Sequence, residues 1–263
     1  MAQSNARPTA TRLLASLCAA TLAACASTGA SKSGEPVEVA VLGAIHGDHR
    51  TSESWGIEEL RGVLRAYRPD AVLCEIPPDR LDQALAEFAA TGVVAEARVR
   101  RFPELTDAVF PLQEELGYAI VPCAAWTQDM ADRRREQLSA WETARPEDSA
   151  AVDAGFASIN AFVGARGAED DPLLIHTNAY DEAVRRGMQP YADLFGEELG
   201  DGGWEQINAA HWALLDEALD ARPGQRVLIV FGAWHKYWFR DRITEDADLV
   251  ELDLKPFLVP EGS

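Results

Sequence analysis

Two histidines close the same tetrapeptide, Gly43-Ala44-Ile45-His46 and Gly232-Ala233-Trp234-His235. The first follows Val37-Glu38-Val39-Ala40-Val41-Leu42, and the second follows Val227-Leu228-Ile229-Val230-Phe231. Both runs are rich in β-branched residues and free of Pro, which reads as short buried strands. A Gly at a strand end permits a tight turn, and a His three residues on can face the crevice above a sheet. Neutral imidazole there serves as a metal ligand or as a general base. The plainer alternative for either His alone is a helix cap, a loop hydrogen bond or aromatic packing. The two are 189 residues apart (235 − 46), so they share a site only if their strands lie close in one sheet.

Carboxylates fall at matching places. Glu75 follows the apolar run Ala71-Val72-Leu73-Cys74, at the same height after the second expected strand as His46 after the first. A carboxylate placed where burial begins needs a partner, because an unpaired buried charge is costly. Arg80, behind Pro77-Pro78, could be that partner, within a site or as a structural ion pair. Glu104, in Phe102-Pro103-Glu104-Leu105, stands near a helix N-terminus, where a carboxylate is favourable in any case. Asn208 and His211 lie one helical turn apart. Asn208 could orient a ligand, whereas His211 beside Trp212 reads as packing. His49, three residues after His46 on a loop, fixes no ligand geometry.

Several chemistries are excluded by what the sequence lacks. It contains no Gly-x-Ser-x-Gly elbow, Gly-x-Gly-x-x-Gly loop, Walker A loop or His-Glu-x-x-His helix. Cys74 and Cys123 show no Cys-x-x-Cys spacing, which argues against structural zinc and thioredoxin-like redox chemistry.

The elements that must position these residues alternate. Strand 38–43 leads to a helix over 54–67, then strand 71–76, a helix through Leu81, Leu85 and Phe88, a helix over 103–116 and strand 118–123. Such alternation implies an α/β fold with a mainly parallel central sheet and flanking helices. Residues 127–222 change character to charged helical stretches split by polar turns, with Leu173-Leu174-Ile175 as the one short strand-like run. They read as a helical insertion, or cap, in a single domain over 37–258. Strand 227–231, a helix over 237–243 and a terminal strand 248–252 complete it.

Ahead of this domain, Arg7 and Arg12 precede the apolar stretch 13–21, which ends in Leu22-Ala23-Ala24-Cys25. That is the layout of a secretory signal, too short to span a bilayer. Leu-Ala-Ala-Cys resembles a bacterial lipobox, which implies cleavage after residue 24, a lipid on Cys25 and a place in the bacterial cell envelope, on the periplasmic or outer-membrane face; the plainer alternative is an ordinary signal peptide cleaved near Ala24 or Ala26. Residues 25–36, small and polar, read as a flexible tether. The remaining chain holds 22 basic against 43 acidic residues, a formal charge of −21. Such a field repels phosphate backbones, so no nucleic-acid partner is expected. In an exported protein Cys74 and Cys123 are either a disulfide or two buried thiols.

A strand ending in Gly-x-x-His, a helix, a strand ending in Glu with Arg five residues later, and a late second Gly-x-x-His resemble the TraB/PrgY/GumN–Tiki families. These belong to the wider erythromycin esterase/ChaN-like superfamily. The resemblance runs from about Val37 to Phe239 and rests on Gly43, His46, Glu75, Arg80, Gly232 and His235, with Glu104 also similar. It departs at Ile207, where relatives carry arginine, and at Cys123-Ala124-Ala125, where relatives can offer an acid. It implies a central sheet with a helical cap and a site at the strand ends built from His46, Glu75, Arg80, Glu104 and His235. His46, Glu75 and His235 would bind a divalent metal, for which mixed imidazole and carboxylate donors suit Zn²⁺, Mn²⁺ or Co²⁺. The expected activity is that of a lipid-anchored, metal-dependent hydrolase acting on a peptide or a small-molecule ester. The alternative implied by ChaN-like members is a non-enzymatic lipoprotein that binds haem or another ligand.

Overall fold

The buried strand β1 (Val37–Ala44) is the second from one edge of the sheet, and its ends fix everything described below. The computed structural model describes residues 34–166 and 170–258. The expected signal segment, Cys25 and all of the tether before residue 34 lie outside the described residues. Glu35 belongs to the domain, its carbonyl accepting the Gly224 N–H at 2.9 Å.

Five parallel strands, β1 with β2 (Ala71–Cys74), β3 (Ala119–Pro122), β4 (Arg226–Gly232) and β5 (Leu249–Glu251), stand in the order β3-β2-β4-β1-β5. The α/β expectation is met. Strands β1, β2 and β4 are buried almost throughout, as parallel strands covered on both faces must be. Helix α1 (Ile57–Tyr67) carries the chain from β1 past β4 to β2. It buries Leu60, Val63, Leu64 and Tyr67, a stripe at helical spacing. Helix α2 (Leu81–Thr91) follows β2, and α3 (Phe110–Leu116) precedes β3.

Between β3 and β4 the chain is helical: α4 (Gln128–Ala144), α5 (Pro146–Gly164), α6 (Pro172–Ile175), α7 (Asn178–Phe195) and α8 (Trp204–Asp220). Helix α9 (Lys236–Glu245) then carries β4 to β5, past β1, and α10 (Lys255–Leu258) ends the described chain. Thus β1 and β4 are neighbours whose outgoing connections run in opposite directions. In open α/β sheets that is where ligands bind, outside the carboxyl ends of the strands.

Three local expectations are corrected. Glu75 and Ile76 fall outside β2, because the Ile76 N–H turns back to the Cys74 carbonyl at 2.7 Å. The single helix expected over 103–116 is a π-helical segment, Glu104–Val109, running into α3. Leu173-Leu174-Ile175 is helical, since the Asp171 side chain caps the Leu173 N–H at 2.8 Å and Pro172 takes the first helical position.

The cysteines are two free, buried thiols. Burial is the main cause that pushes both upward, Cys123 to about 12, so neither is a ready nucleophile. No helix among the described residues is long and apolar enough to cross a membrane.

Candidate functional site

The β1–β4 register builds the site. Gly43 pairs with Phe231 and Ala44 with Gly232, so the two motifs run side by side, offset by one residue. The Ala233 N–H extends the ladder to the Ala44 carbonyl at 2.9 Å. Past that point the strands end, and both histidines leave the sheet on the same rim.

His46 opens a 3-10 turn, His46–Arg50, with φ of 51°. A non-glycine residue in the left-handed region costs of order 1–3 kcal/mol and persists only where its surroundings over-determine it. His49 does so. Its Nε2 accepts the Ile45 N–H at 2.9 Å and its Nδ1–H donates to the Trp55 carbonyl at 2.6 Å. The residue therefore clamps the turn and is no ligand, and its burial lowers its pKa.

The imidazole of His46 lies between two carboxylates. Nδ1 is hydrogen-bonded to Glu104 Oε1 at 2.7 Å, and Nε2 stands 4.0 Å from Glu75 Oε2. The Phe102 ring lies 5.0 Å away. Glu104 is 2% exposed, and its second oxygen, Oε2, is buried with no partner. The π-helical segment aims it, a wide turn of the kind that often marks functional positions. Glu75 is also buried, and its Oε2 accepts the Gly232 N–H at 2.9 Å.

His235 sits at the mouth of α9. Its Nδ1 meets Asn208 Oδ1 at 2.6 Å. Asn208 Nδ2 donates to the Trp204 carbonyl at 2.8 Å, which assigns Oδ1 as the acceptor and Nδ1 of His235 as the donor. The lone pair of His235 is therefore on Nε2. Trp204 stacks on this ring, with centroids 4.7 Å apart.

The two histidines are driven apart electrostatically. At His46, burial is the largest single influence and opposes charge. The Glu104 hydrogen bond and the charges of Glu75, Glu104 and Asp48 together outweigh it and raise the pKa to about 9. At His235, burial dominates and lowers the pKa to about 3, against the attraction of Glu75. His211 is likewise held near 3 by burial. It accepts the Ala125 N–H at Nδ1, which makes it a core residue as its neighbourhood suggested.

Arg80 is not the partner of Glu75. Its guanidinium pairs with the adjacent Asp79 at 3.0 Å, and its Nε is buried with no hydrogen-bond partner. The structure thus brings together His46, Glu75, Glu104 and His235, and leaves Arg80 aside. Sequence reasoning missed His176, whose Nε2 accepts the Gly43 N–H at 3.0 Å and ties the end of β1 to the helical insertion.

Two cavities meet at His46. One, of about 580 Å³, is lined by Tyr180, Trp204, Trp234 and His235. The other, of about 960 Å³, opens past Glu75 and Phe102 toward α4.

The donor chemistry suits a divalent ion. Both Nδ1 atoms are occupied by oxygen partners, the support that turns Nε2 toward a metal. Spacing is the weaker part of the fit. Donors of one zinc at roughly 2.0–2.2 Å each stand closer to one another than a 4.0 Å pair unless nearly collinear. Among the described residues, no three His, Cys, Asp or Glu side chains are already gathered for a metal.

The chain matches no protein-family model, no curated protein and no solved structure.

Proposed function

We propose that this protein is a hydrolase of ester or amide bonds whose chemistry centres on His46, in the crevice above β1 and β4. One observation carries the reading: a conformationally strained histidine is held by Glu104 at 2.7 Å while its other nitrogen faces Glu75 at 4.0 Å. Titratable neighbours with pKa values pushed apart divide the acid and base roles.

Below about pH 9, His46 carries both ring protons. The Nδ1 proton is committed to Glu104, and the Nε2 proton is available to a departing oxygen or nitrogen. The same positive charge stabilises an oxyanion forming on the scissile carbonyl. Glu75 takes the proton of the attacking water, and the Gly232 N–H keeps its carboxylate in place. His235, neutral, turns its Nε2 lone pair to that water. In place of the Nε2 proton of His46, a divalent ion such as Zn²⁺, Mn²⁺ or Co²⁺ would be held by His46 Nε2, Glu75 and His235 Nε2, and when bound would polarise the carbonyl and acidify water. The lipid on Cys25, and with it a place in the cell envelope, belongs to the same proposal and rests on the Leu-Ala-Ala-Cys sequence.

The test is turnover of a panel of esters and peptides, with chelator and with each ion restored. Activity that needs the ion puts Nε2 of His46 on the metal. Activity indifferent to chelator leaves that nitrogen as the proton donor. Absence of turnover on every member overturns the reading.

A second reading, a non-enzymatic binder of haem or another planar ligand, draws on the aromatic lining of the 580 Å³ cavity around His235. An absorption band on haem titration that His235→Ala abolishes would favour it, and a flat titration would count against it.

A further inference from the structure

The larger cavity beside His46 is cationic in an acidic protein. Arg98, Arg101, Arg134 and Arg135 line it, against two carboxylates, Glu75 and Glu142. The chain as a whole has a formal charge of −19. Elsewhere its arginines are largely committed to carboxylates: Arg50, Arg65, Arg145, Arg185 and Arg240 are all ion-paired.

Three of the four in the cavity are not. Arg98 donates to the Trp126 carbonyl, and Arg134 donates through Nε to the Tyr191 hydroxyl at 2.7 Å. Arg101 has no partner among the described residues. Only Arg135 has a carboxylate, Asp132. Four guanidinium groups round one void, with Glu75 and Glu142 as the lining countercharge, leave a surplus of positive charge that favours an anionic occupant. Their planar, forked donors match carboxylate and phosphate oxygens.

The contacts made by Arg98 and Arg134 hold their side chains in fixed poses, which limits the entropy lost on binding. The cavity also reaches Glu75 and His46 without a break.

We propose that this cavity is the subsite for an anionic group of the substrate, a carboxylate or a phosphoryl group, lying beside the bond presented to His46 and Glu75. The assignment of the bond rests on the hydrolase reading above. The anion subsite itself rests on the four arginines. Such a subsite selects substrates that carry a negative charge a few bonds from the scissile carbonyl. It also holds that carbonyl within reach of the His46 proton.

The experiment uses the full chain and three aryl esters matched in length: a hemisuccinate, its phosphonate counterpart and the neutral valerate. Hydrogen bonds to charged groups are strong enough that an anionic ester should be preferred in kcat/KM by about tenfold or more. The preferred member of the anionic pair tells carboxylate from phosphoryl. In Arg101→Gln/Arg134→Gln the preference should collapse toward parity, while Arg186→Gln, a surface arginine paired with Glu182, should keep it. Equal use of all three esters by the wild type, or a preference that survives the double substitution, overturns the proposal and leaves the hydrolase reading standing. If no ester is turned over, calorimetric titration with inorganic phosphate and with succinate decides. Binding weakened by about tenfold in the double variant supports the anion site, and absence of binding to either overturns it.

Discussion

The imidazole of His46 occupies the space that a side chain on Gly232 would need. A Cβ at 232 would stand 2.6 Å from His46 Nε2 and 3.6 Å from Glu75 Oε2. The glycine of one motif makes room for the histidine of the other. The relation is partly mutual, since a Cβ on Gly43 would meet Ala233 Cα and Cβ at 3.1 Å. Repetition of Gly-Ala-x-His thus has a steric cause: two strand ends pack against each other at one crevice.

Gly232→Ala should therefore displace the His46 ring while leaving the sheet intact. A misplacement of about 1 Å can cost about 10²-fold in rate, and overpacking costs about 1–3 kcal/mol in stability. Turnover and urea unfolding of the variant check both. Activity that survives in a folded Gly232→Ala protein would show that His46 need not lie over Gly232.

Glu104→Gln removes the carboxylate that fixes the Nδ1 proton of His46. Because Glu104 raises the His46 pKa both by its hydrogen bond and by its charge, the value should fall from about 9. An NMR titration of His46 with chelator present reads that fall. Turnover should drop within the range of about 10²–10⁴-fold typical of general acid–base groups.

Stability should decline on both sides of neutrality. His46 binds its proton more tightly folded than unfolded, so its contribution is present below about pH 6.5 and lost as pH rises through about 9. His176 is the reverse case: burial, with Lys236 nearby, lowers its pKa to about 3. Its contribution is present above about pH 6.5 and lost as pH falls from there toward about 3. For the buried His176 the change is up to about 1.4 kcal/mol per pH unit inside its window, and for His46, whose side chain is 39% exposed, solvent screening makes it smaller. Urea unfolding with chelator, measured between pH 5 and about 9.5, should show both limbs, and Glu104→Gln should flatten the alkaline one. An unchanged alkaline limb in that variant would contradict the His46 assignment.

The helical insertion depends on close backbone contact between α5 and α7. A Cβ on Gly187 would lie 2.7 Å from the Gly155 carbonyl oxygen and 2.7 Å from Ile159 Cδ1. Gly187→Ala should cost about 1–3 kcal/mol by overpacking, which for a domain of this size lowers Tm by about 2–4 °C per kcal/mol. Ile159 also lines the cavity at His235, so ligand access there should change as well. An unaltered Tm would mean that the helix pair separates freely.

Sequence patterning made the α/β alternation and the two strand-end histidines legible because both are local. Apolar runs, Pro and Gly report directly on strands and their ends. The partner of Glu75 was not legible. Arg80 is near in sequence, yet it pairs with Asp79, while the Gly232 N–H comes from 157 positions away. Glu104 had a helix-dipole rationale and the family resemblance in sequence, and its pairing with His46 depends on how the π-helical segment packs. The Asp171-Pro172 helix start was readable, and the apolar character of Leu173-Leu174-Ile175 masked it. Arg98, Arg101, Arg134 and Arg135 gave no signal in sequence, because no local pattern says that a loop and α4 face one cavity.

The most direct measurement is the turnover of the ester and peptide panel by wild-type protein beside His46→Ala, each shown to be folded by urea unfolding. The expected result is a loss of about 10²-fold or more in kcat/KM, in a variant that still unfolds cooperatively. Equal turnover by the two proteins would contradict a reaction centred on His46.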